Sequence, residues 1–340
     1  MNSTVKSWIV PLVVLCVIVL FISACGGGSD DGTSSGLVYT GSTSMVQIDA
    51  NNADAVAINA YENTNTMRNT GDTINIEVDS EESGRLRESH RPLSVALTRL
   101  ALDMLKKSEI DTRVRERDNR GVIQQDQGTE AGPCGGSVTY SMRTDTQSGS
   151  CTIAATFTDY CSNEGILVDG SMNMQTQYNL QTFSMNTTIT FTNLQVVLEE
   201  DGTSVTTSGS MTMVGGLLSS ITCTMNMVMK EDTTEKTYKA ENVIIEMTNG
   251  ISSITVTIDG TFYDYDYGSC ELSTDQNNPF IIQENECTPS SGCIIVTGAD
   301  GSSGESSKAK LTIIDANSYQ VEADIDGDGT YEYQSGTMYW

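Results

Sequence analysis

The sequence predicts a mainly β (α+β) protein: an antiparallel meander of long hairpins, forming a curved sheet or a sandwich, with one or two N-terminal helices packed on it. Three observations predict this. From Gly135 onward the chain falls into short runs of alternating apolar and polar residues, such as Cys151-Thr-Ile-Ala-Ala-Thr-Phe157 and Ile254–Ile258, and a period of two marks strands with one buried face. Gly, Asn and Asp punctuate these runs, and Asp201-Gly202 and Asn249-Gly250 are dipeptides that tight hairpins prefer. Helical spacing, by contrast, is confined to the N-terminal third.

Taken in order, residues 37–40 (Leu-Val-Tyr-Thr) begin strand-like and the chain then turns helical. Ala53, Val56, Ala57, Ala60 and Tyr61 fall on one helical face, with Asn51 or Asn52 as the cap. Thr70–Arg91 is polar and charged, with a short strand expected at Ile74–Val78. A second helix follows Pro92, with Leu93, Ala96, Leu97, Leu100, Ala101 and Met104 on its apolar face and Lys106 and Lys107 at its C-terminal end. Packing on the sheet is the expected fate of that face. Residues 108–133, charged and then Gln/Gly-rich, read as a linker. The division is therefore 37–133 as helical segment and linker, and 134–340 as the β domain.

Within the β domain a unit recurs weakly. Runs end in Gly-Ser/Thr-Met/Phe at Gly170-Ser-Met172, Gly209-Ser-Met211, Gly260-Thr-Phe262 and Gly336-Thr-Met338. Irregular spacing argues for a meander over a strict solenoid. Only 6% of residues are aromatic, so the expected sheet is solvated on one face and packs Met, Ile, Val and Tyr on the other.

The first residues carry a separate signal. Lys6 precedes an apolar run from Trp8 to Ile22, too short to span a bilayer but of the length of a secretory core. It ends in Ile22-Ser23-Ala24-Cys25. This resembles the lipobox of bacterial lipoprotein precursors. The resemblance implies a signal peptide at 1–24, diacylglycerol on the Cys25 thiol and an N-acyl chain on its new amino terminus. Residues 25–36, rich in Gly, Ser and Asp, then form a flexible tether. In enterobacterial lipoproteins Asp after the cysteine favours the inner membrane. Gly26 stands there in this chain, which points to the outer membrane, on its periplasmic or surface face.

Charge narrows the partners. The chain carries 45 Asp and Glu against 18 Lys and Arg, a net −27, which repels nucleic acid and anionic lipid. Anchoring to a membrane thus falls to acyl chains. Export also sets the redox setting, where disulfides are the default. Cys287 and Cys293 flank a Pro/Gly turn and form the strongest local pair, and a bridge involving Cys161 is expected among Cys134, Cys151 and Cys161. Spacing does not fix the connectivity.

One motif carries metal chemistry. Asp324-Ile-Asp326-Gly-Asp328-Gly329-Thr330-Tyr-Glu332 resembles the first half of an EF-hand loop, in which positions 1, 3 and 5 supply carboxylates and position 7 a carbonyl. The resemblance implies Ca²⁺ held by Asp324, Asp326, Asp328, Thr330 and Glu332. Position 12 is Ser335, which offers no bidentate carboxylate, and strand-like flanks replace the usual helices. Phe262-Tyr-Asp-Tyr-Asp-Tyr267 would, as a strand, set Tyr263, Tyr265 and Tyr267 on one face, as a core rim or an aromatic platform. Enzyme signatures are lacking: His90 is the only histidine, and no nucleophile elbow, zincin or phosphate-loop motif occurs. The expectation is a non-catalytic, calcium-supported envelope lipoprotein with a structural or binding role toward an envelope protein or polymer. A carrier or chaperone holding a lipid or acyl chain in a curved β trough is the alternative, and a hydrolase of an envelope polymer the third.

Overall fold

The computed structural model describes residues 36–71 and 123–339, apart from 146, 162–165, 180, 183, 199–203, 217–219, 251–252 and 284–288. The signal segment, Cys25, the tether, the second expected helix, the 74–78 strand and His90 lie outside these residues. Among the described residues, sixteen strands form one antiparallel sheet. Nine follow one another in chain order: β1 (Ile123–Ala131), β2 (Gly135–Asp145), β3 (Ser150–Cys161), β4 (Ile166–Asn179), β5 (Ser184–Leu198), β6 (Ser204–Gly216), β7 (Ser220–Glu231), β8 (Lys236–Asn249) and β9 (Ser253–Asp264). The order continues through β10 (Gly268–Thr274), β12 (Gly292–Asp300), β13 (Ser306–Asp315) and β14 (Ser318–Asp324) to β15 (Tyr333–Gln334). Strand β11 (Phe280–Gln283) pairs with β9, and β16 (Met338–Tyr339) with β14. The sheet is open, with β1 and β15 at its ends. The predicted meander of long hairpins is the fold.

Period-two alternation places the core. In β13, Ser307, Ala309, Leu311 and Ile313 are buried while the residues between them are not. The same face continues through Val296, Ile258, Ile245, Met225 and Phe157, all at most 2% exposed. Strand β1 departs from the expectation of a linker over 108–133. It pairs residue by residue with β2 from Ile123↔Asp145 to Ala131↔Ser137. Most of its residues are exposed, so this edge strand has no buried face and no alternation by which to announce itself.

The recurring Gly-Ser/Thr-Met/Phe unit has a structural meaning. Gly170, Gly209 and Gly260 all adopt positive φ, and each lies beside a break in register: between β4 and β5, β5 and β6, and β8 and β9. A Cβ on Gly209 would run into the backbone of Asn226 and Met227 on β7. Three of the four non-glycine residues with positive φ, Asp159, Asn193 and Asn242, occupy the same band, and Asp and Asn tolerate that conformation best. Neighbouring side chains take up the amides freed from the ladder. Asn193 N–H donates to Ser208 Oγ (2.8 Å), Asn242 N–H to Asn226 Oδ1 (2.9 Å) and Asp159 N–H to Asp169 Oδ2 (3.1 Å). Bulges bend strands and increase twist, so a band of them crossing the strands curves the sheet. The fourth copy, at Gly336, leads into β16 and is not part of this band.

Helix α1 (Ala53–Gly71) packs across β9, β12, β13 and β14. Ala53, Val56, Ala57, Ala60 and Tyr61 face the sheet and are buried, and Tyr61 meets Phe280 with ring centroids 5.4 Å apart. Asn52, one of the two expected caps, directly precedes the helix, and its carbonyl accepts the first helical bond, from Val56 N–H (2.9 Å); Asp49 closes the turn before it. Asp49 Oδ1 accepts from Asn52 N–H (3.1 Å), and Asp49 N–H donates to Asn52 Oδ1 (2.9 Å), the reciprocal pairing of a capping box. Residues 37–40 form no strand. Side chains hold this segment: Thr40 N–H donates to Thr237 Oγ1 (2.9 Å), and Tyr39 Oη to the Asp264 carbonyl (2.8 Å).

Candidate metal centre

The Asp-rich loop connects β14 to β15 at one end of the sheet. Asp324, the last residue of β14, is 1% exposed. Its carboxylate organises the turn: Gly327 N–H donates to Oδ1 (2.8 Å) and Gly329 N–H to Oδ2 (3.0 Å). Both glycines have positive φ (80° and 90°), which allows the chain to fold back over one carboxylate. Asp328 N–H donates to Asp326 Oδ1 (3.1 Å), Thr330 N–H to Asp328 Oδ1 (2.7 Å), and Ile325 N–H to Glu332 Oε2 (2.9 Å). These local turns bring the acids together, with Asp328 and Glu332 exposed. One oxygen from each of Asp324, Asp326, Asp328 and Glu332 lies within 4.8 Å of the others. The group could hold a metal ion.

Support comes from two sides. In the 301–305 turn, Ser303 N–H donates to the Asp326 carbonyl (2.9 Å). On the other, Ser335 Oγ accepts from Val321 N–H (2.9 Å) and donates to the Gly336 carbonyl (2.8 Å). Ser335 therefore fastens the end of the loop to β14. Gly301-Ser-Ser-Gly304 signals a turn in the sequence, but nothing there indicates which loop it supports. Thr330 is exposed, as its proposed use of a backbone carbonyl allows. Nearby, burial pushes the Tyr331 hydroxyl up, opposed by Lys310, whose Nζ lies 5.6 Å from the ring centroid.

A disulfide joins Cys134, in the turn after β1, to Cys161 at the end of β3, with Cα atoms 5.2 Å apart. Cys293 is a buried free thiol on β12, and Cys287, its expected partner, lies outside the described residues. In β12 the side chain of Cys293 is committed to the core, facing away from a surface turn. Cys151 and Cys270 are also free and buried, and Cys223 is buried. Burial raises the thiols of Cys151, Cys270 and Cys293, which makes them poor nucleophiles. The tyrosine platform does not form either. Strand β9 ends at Asp264 and residues 265–267 turn, so the alternation stops halfway. Asp264 points inward, accepting from Asp266 N–H, Tyr267 N–H and Asn59 Nδ2 of α1.

No family model, curated protein or solved structure matches the chain.

Proposed function

We propose that this chain is a lipid-anchored protein of the bacterial cell envelope, with a structural or binding role and calcium at the Asp loop. The ordered signal at the start carries the reading: Lys6, an apolar run, then Ile22-Ser-Ala-Cys25 and a Gly/Ser/Asp tether. Two or three acyl chains give durable attachment where one is marginal, and an acidic domain adds no attraction to anionic lipid. Gly26 after the cysteine supports the outer membrane. The long solvated hairpins favour a structural or binding surface toward an envelope protein or polymer. The side chains filling the apolar face, from Phe157 to Val296, support that reading over a lipid carrier.

Calcium suits the loop by size. Ligand oxygens about 2.3–2.6 Å from one ion stand at most about 5 Å apart, whereas magnesium's shorter bonds need roughly 4 Å. The carboxylate oxygens lie within 4.8 Å of one another. Asp324, Asp326, Asp328 and Glu332, with the Thr330 carbonyl, would form part of the shell, and the ion would neutralise their mutual repulsion. The anchor is tested by metabolic labelling with a fatty-acid analogue and by membrane fractionation. Wild type takes the label and sediments with membranes, while Cys25→Ser takes none and is released. A Cys25→Ser protein that stays with the membrane overturns the anchor.

A further inference from the structure

One line across the solvated face of the sheet, from β1 to β7, is free of charge. Direct pairing aligns Gln127, Ser141, Ala154 and Asn173 on β1 to β4. The row continues through Thr190 and Ser210 to Asn226 on β7. Gln127, Ser141, Asn173, Thr190 and Asn226 are exposed. The row beside it on β1 to β5, from Thr129 and Thr139 through Thr156 and Ser171 to Thr192, is uncharged as well. Charges stand at the borders, with Arg143 on β2 and Glu246 on β8. Farther along the sheet, Lys239 pairs with Glu241 and Lys310 with Glu322. Protein surfaces ordinarily carry about 25–35% charged residues, and this chain has 45 acids. Threonine suits a solvated strand, but asparagine is depleted in strands, so propensity does not account for the row.

The row also crosses a depression of about 420 Å³, lined by Gln127, Thr129, Thr139, Ser141, Ala154 and Thr156. Ala154 contributes only a methyl to its floor. The hydroxyls of Thr129 and Thr139 stand 3.0 Å apart at one end, and those of Thr188 and Thr212 3.3 Å apart on the strands beyond. Hydroxyls and amides are thus already ordered across the strands.

We infer that this face is a docking surface for an uncharged polysaccharide chain lying across the strands. The inference rests on the binding role proposed above and gives its partner a chemical class. Hydroxyl and amide side chains both donate and accept, which matches the dual capacity of sugar hydroxyls. Threonine methyls and Ala154 meet the C–H faces of the rings. Neighbouring strands are about 4.8 Å apart, close to the advance per ring of an extended glycan. The row therefore repeats in step with such a polymer over roughly 29 Å. Docking on an uncharged face strips water from no ion, while the acids elsewhere repel polyanions. Stiff β-branched side chains lose little freedom on binding.

Affinity electrophoresis of the full mature chain in mild detergent tests this. Native gels are cast with hydroxyethylcellulose, glucomannan or dextran, and with polygalacturonate as the charged control. The expected result is retardation by at least one neutral polymer and none by polygalacturonate. Asn173→Ala with Thr190→Ala should weaken that binding roughly 5–10-fold, the worth of two neutral hydrogen bonds. Ala154→Arg, which fills the depression, should abolish it. These substitutions lie on a solvated face, and an unchanged melting temperature shows that the variants fold. Free mobility in all three neutral gels overturns the inference, as does equal retardation by polygalacturonate or of the variants. Should a variant not fold, the side-chain amide signals of Gln127 and Asn173 decide. Oligosaccharides of the retarding polymer must shift them, and fixed signals overturn the inference. Fractionation of Cys25→Ser is blind to this face, so the two readings fail separately.

Discussion

Replacing Asp326 and Asp328 with Asn should abolish a calcium-dependent rise in melting temperature while leaving the metal-free protein no less stable. Asn keeps what the turn needs, because its Oδ1 can still accept from Asp328 N–H and Thr330 N–H, as the aspartates do at 3.1 and 2.7 Å. Two negative charges are lost, each with a carboxylate oxygen within 4.8 Å of those of Asp324 and Glu332. Asp324 is left intact, since it is buried and holds the amides of Gly327 and Gly329. Without the bidentate acid at position 12, affinity should fall among the weaker extracellular sites, with Kd near 10⁻⁴ M as an order-of-magnitude estimate. At a calcium concentration about 100 times Kd, linkage stabilises the folded state by about 2.7 kcal/mol. For a domain of some 150–250 residues, that moves Tm by roughly 5–10 °C. Differential scanning calorimetry at matched ionic strength reads this directly, with magnesium as the control. An unmoved wild type, or an equal shift in the Asn variant, refutes the site.

Other expectations follow from the fold. Reducing the Cys134–Cys161 bridge, which closes a loop of sequence separation 27, should cost at most about 3–4 kcal/mol by the loop-entropy relation, read as a lower urea midpoint in reductant or in the double serine variant. Gly209→Ala must fit a Cβ against the Asn226 and Met227 backbone at φ 126° and should destabilise by about 2 kcal/mol or more. Asn193→Ala and Asn193→Gly both lose the hydrogen bond from Ser208 Oγ to Oδ1 (3.1 Å), but at φ 46° the Ala variant should be about 1–2 kcal/mol less stable than the Gly variant; thermal melts compare the pair. The Tyr39, Tyr238 and Tyr263 hydroxyls are pushed up to about 12, chiefly by burial at Tyr39 and Tyr238 and by the hydrogen bond to Glu241 at Tyr263. In that alkaline window the unfolded chain loses these protons before the folded one, so stability should be intact below about pH 10 and fall as pH rises toward 12. Tyrosinate absorbance should lag behind that of the unfolded chain, and a flat Tm across the window counts against the assignment.

Where physics acts locally, the sequence declared the structure. The face of α1 was legible because helical spacing needs only its own residues, and β9 and β13 because one solvated face enforces alternation. The part played by Asp49 was not legible, because Asp49 and Asn52 satisfy each other across a turn that precedes the apolar spacing. Strand β1 was missed because an edge strand with most residues exposed carries no hydrophobic pattern. The Asp loop was legible as a constellation, yet the task of Ser335 depends on Val321 across the ladder, which no local spacing encodes. The Gly-Ser-Met recurrence was visible, but its cause was not. Only register shows that Asn193, Asn226 and Asn242 sit beside those glycines and serve the same bend.

The two ends of the open sheet are managed differently, which bears on the loop's role. An exposed edge invites pairing with another chain. At β1 the protection is chemical: Asp126 and Glu130 stand among Gln and Thr on a strand with little apolar surface. At the other end it is geometric. The edge of β14 is divided between two short strands, β15 at Glu322↔Gln334 and Ala323↔Tyr333, and β16 at Ser318↔Tyr339 and Tyr319↔Met338. Each strand covers only two residue pairs, and between them Ser335 adds three hydrogen bonds: its N–H donates to the Val321 carbonyl (2.8 Å), its Oγ accepts from Val321 N–H (2.9 Å) and its carbonyl accepts from Gln320 Nε2 (3.0 Å). The Asp loop is the covalent link from β14 to β15, so a cation bridging Asp324 on the strand to Glu332 beside β15 would draw the cover onto the edge it protects. Calcium at this position would act on this divided edge, and its removal should be felt first as faster amide exchange at Val321 and Ala323, before any global unfolding.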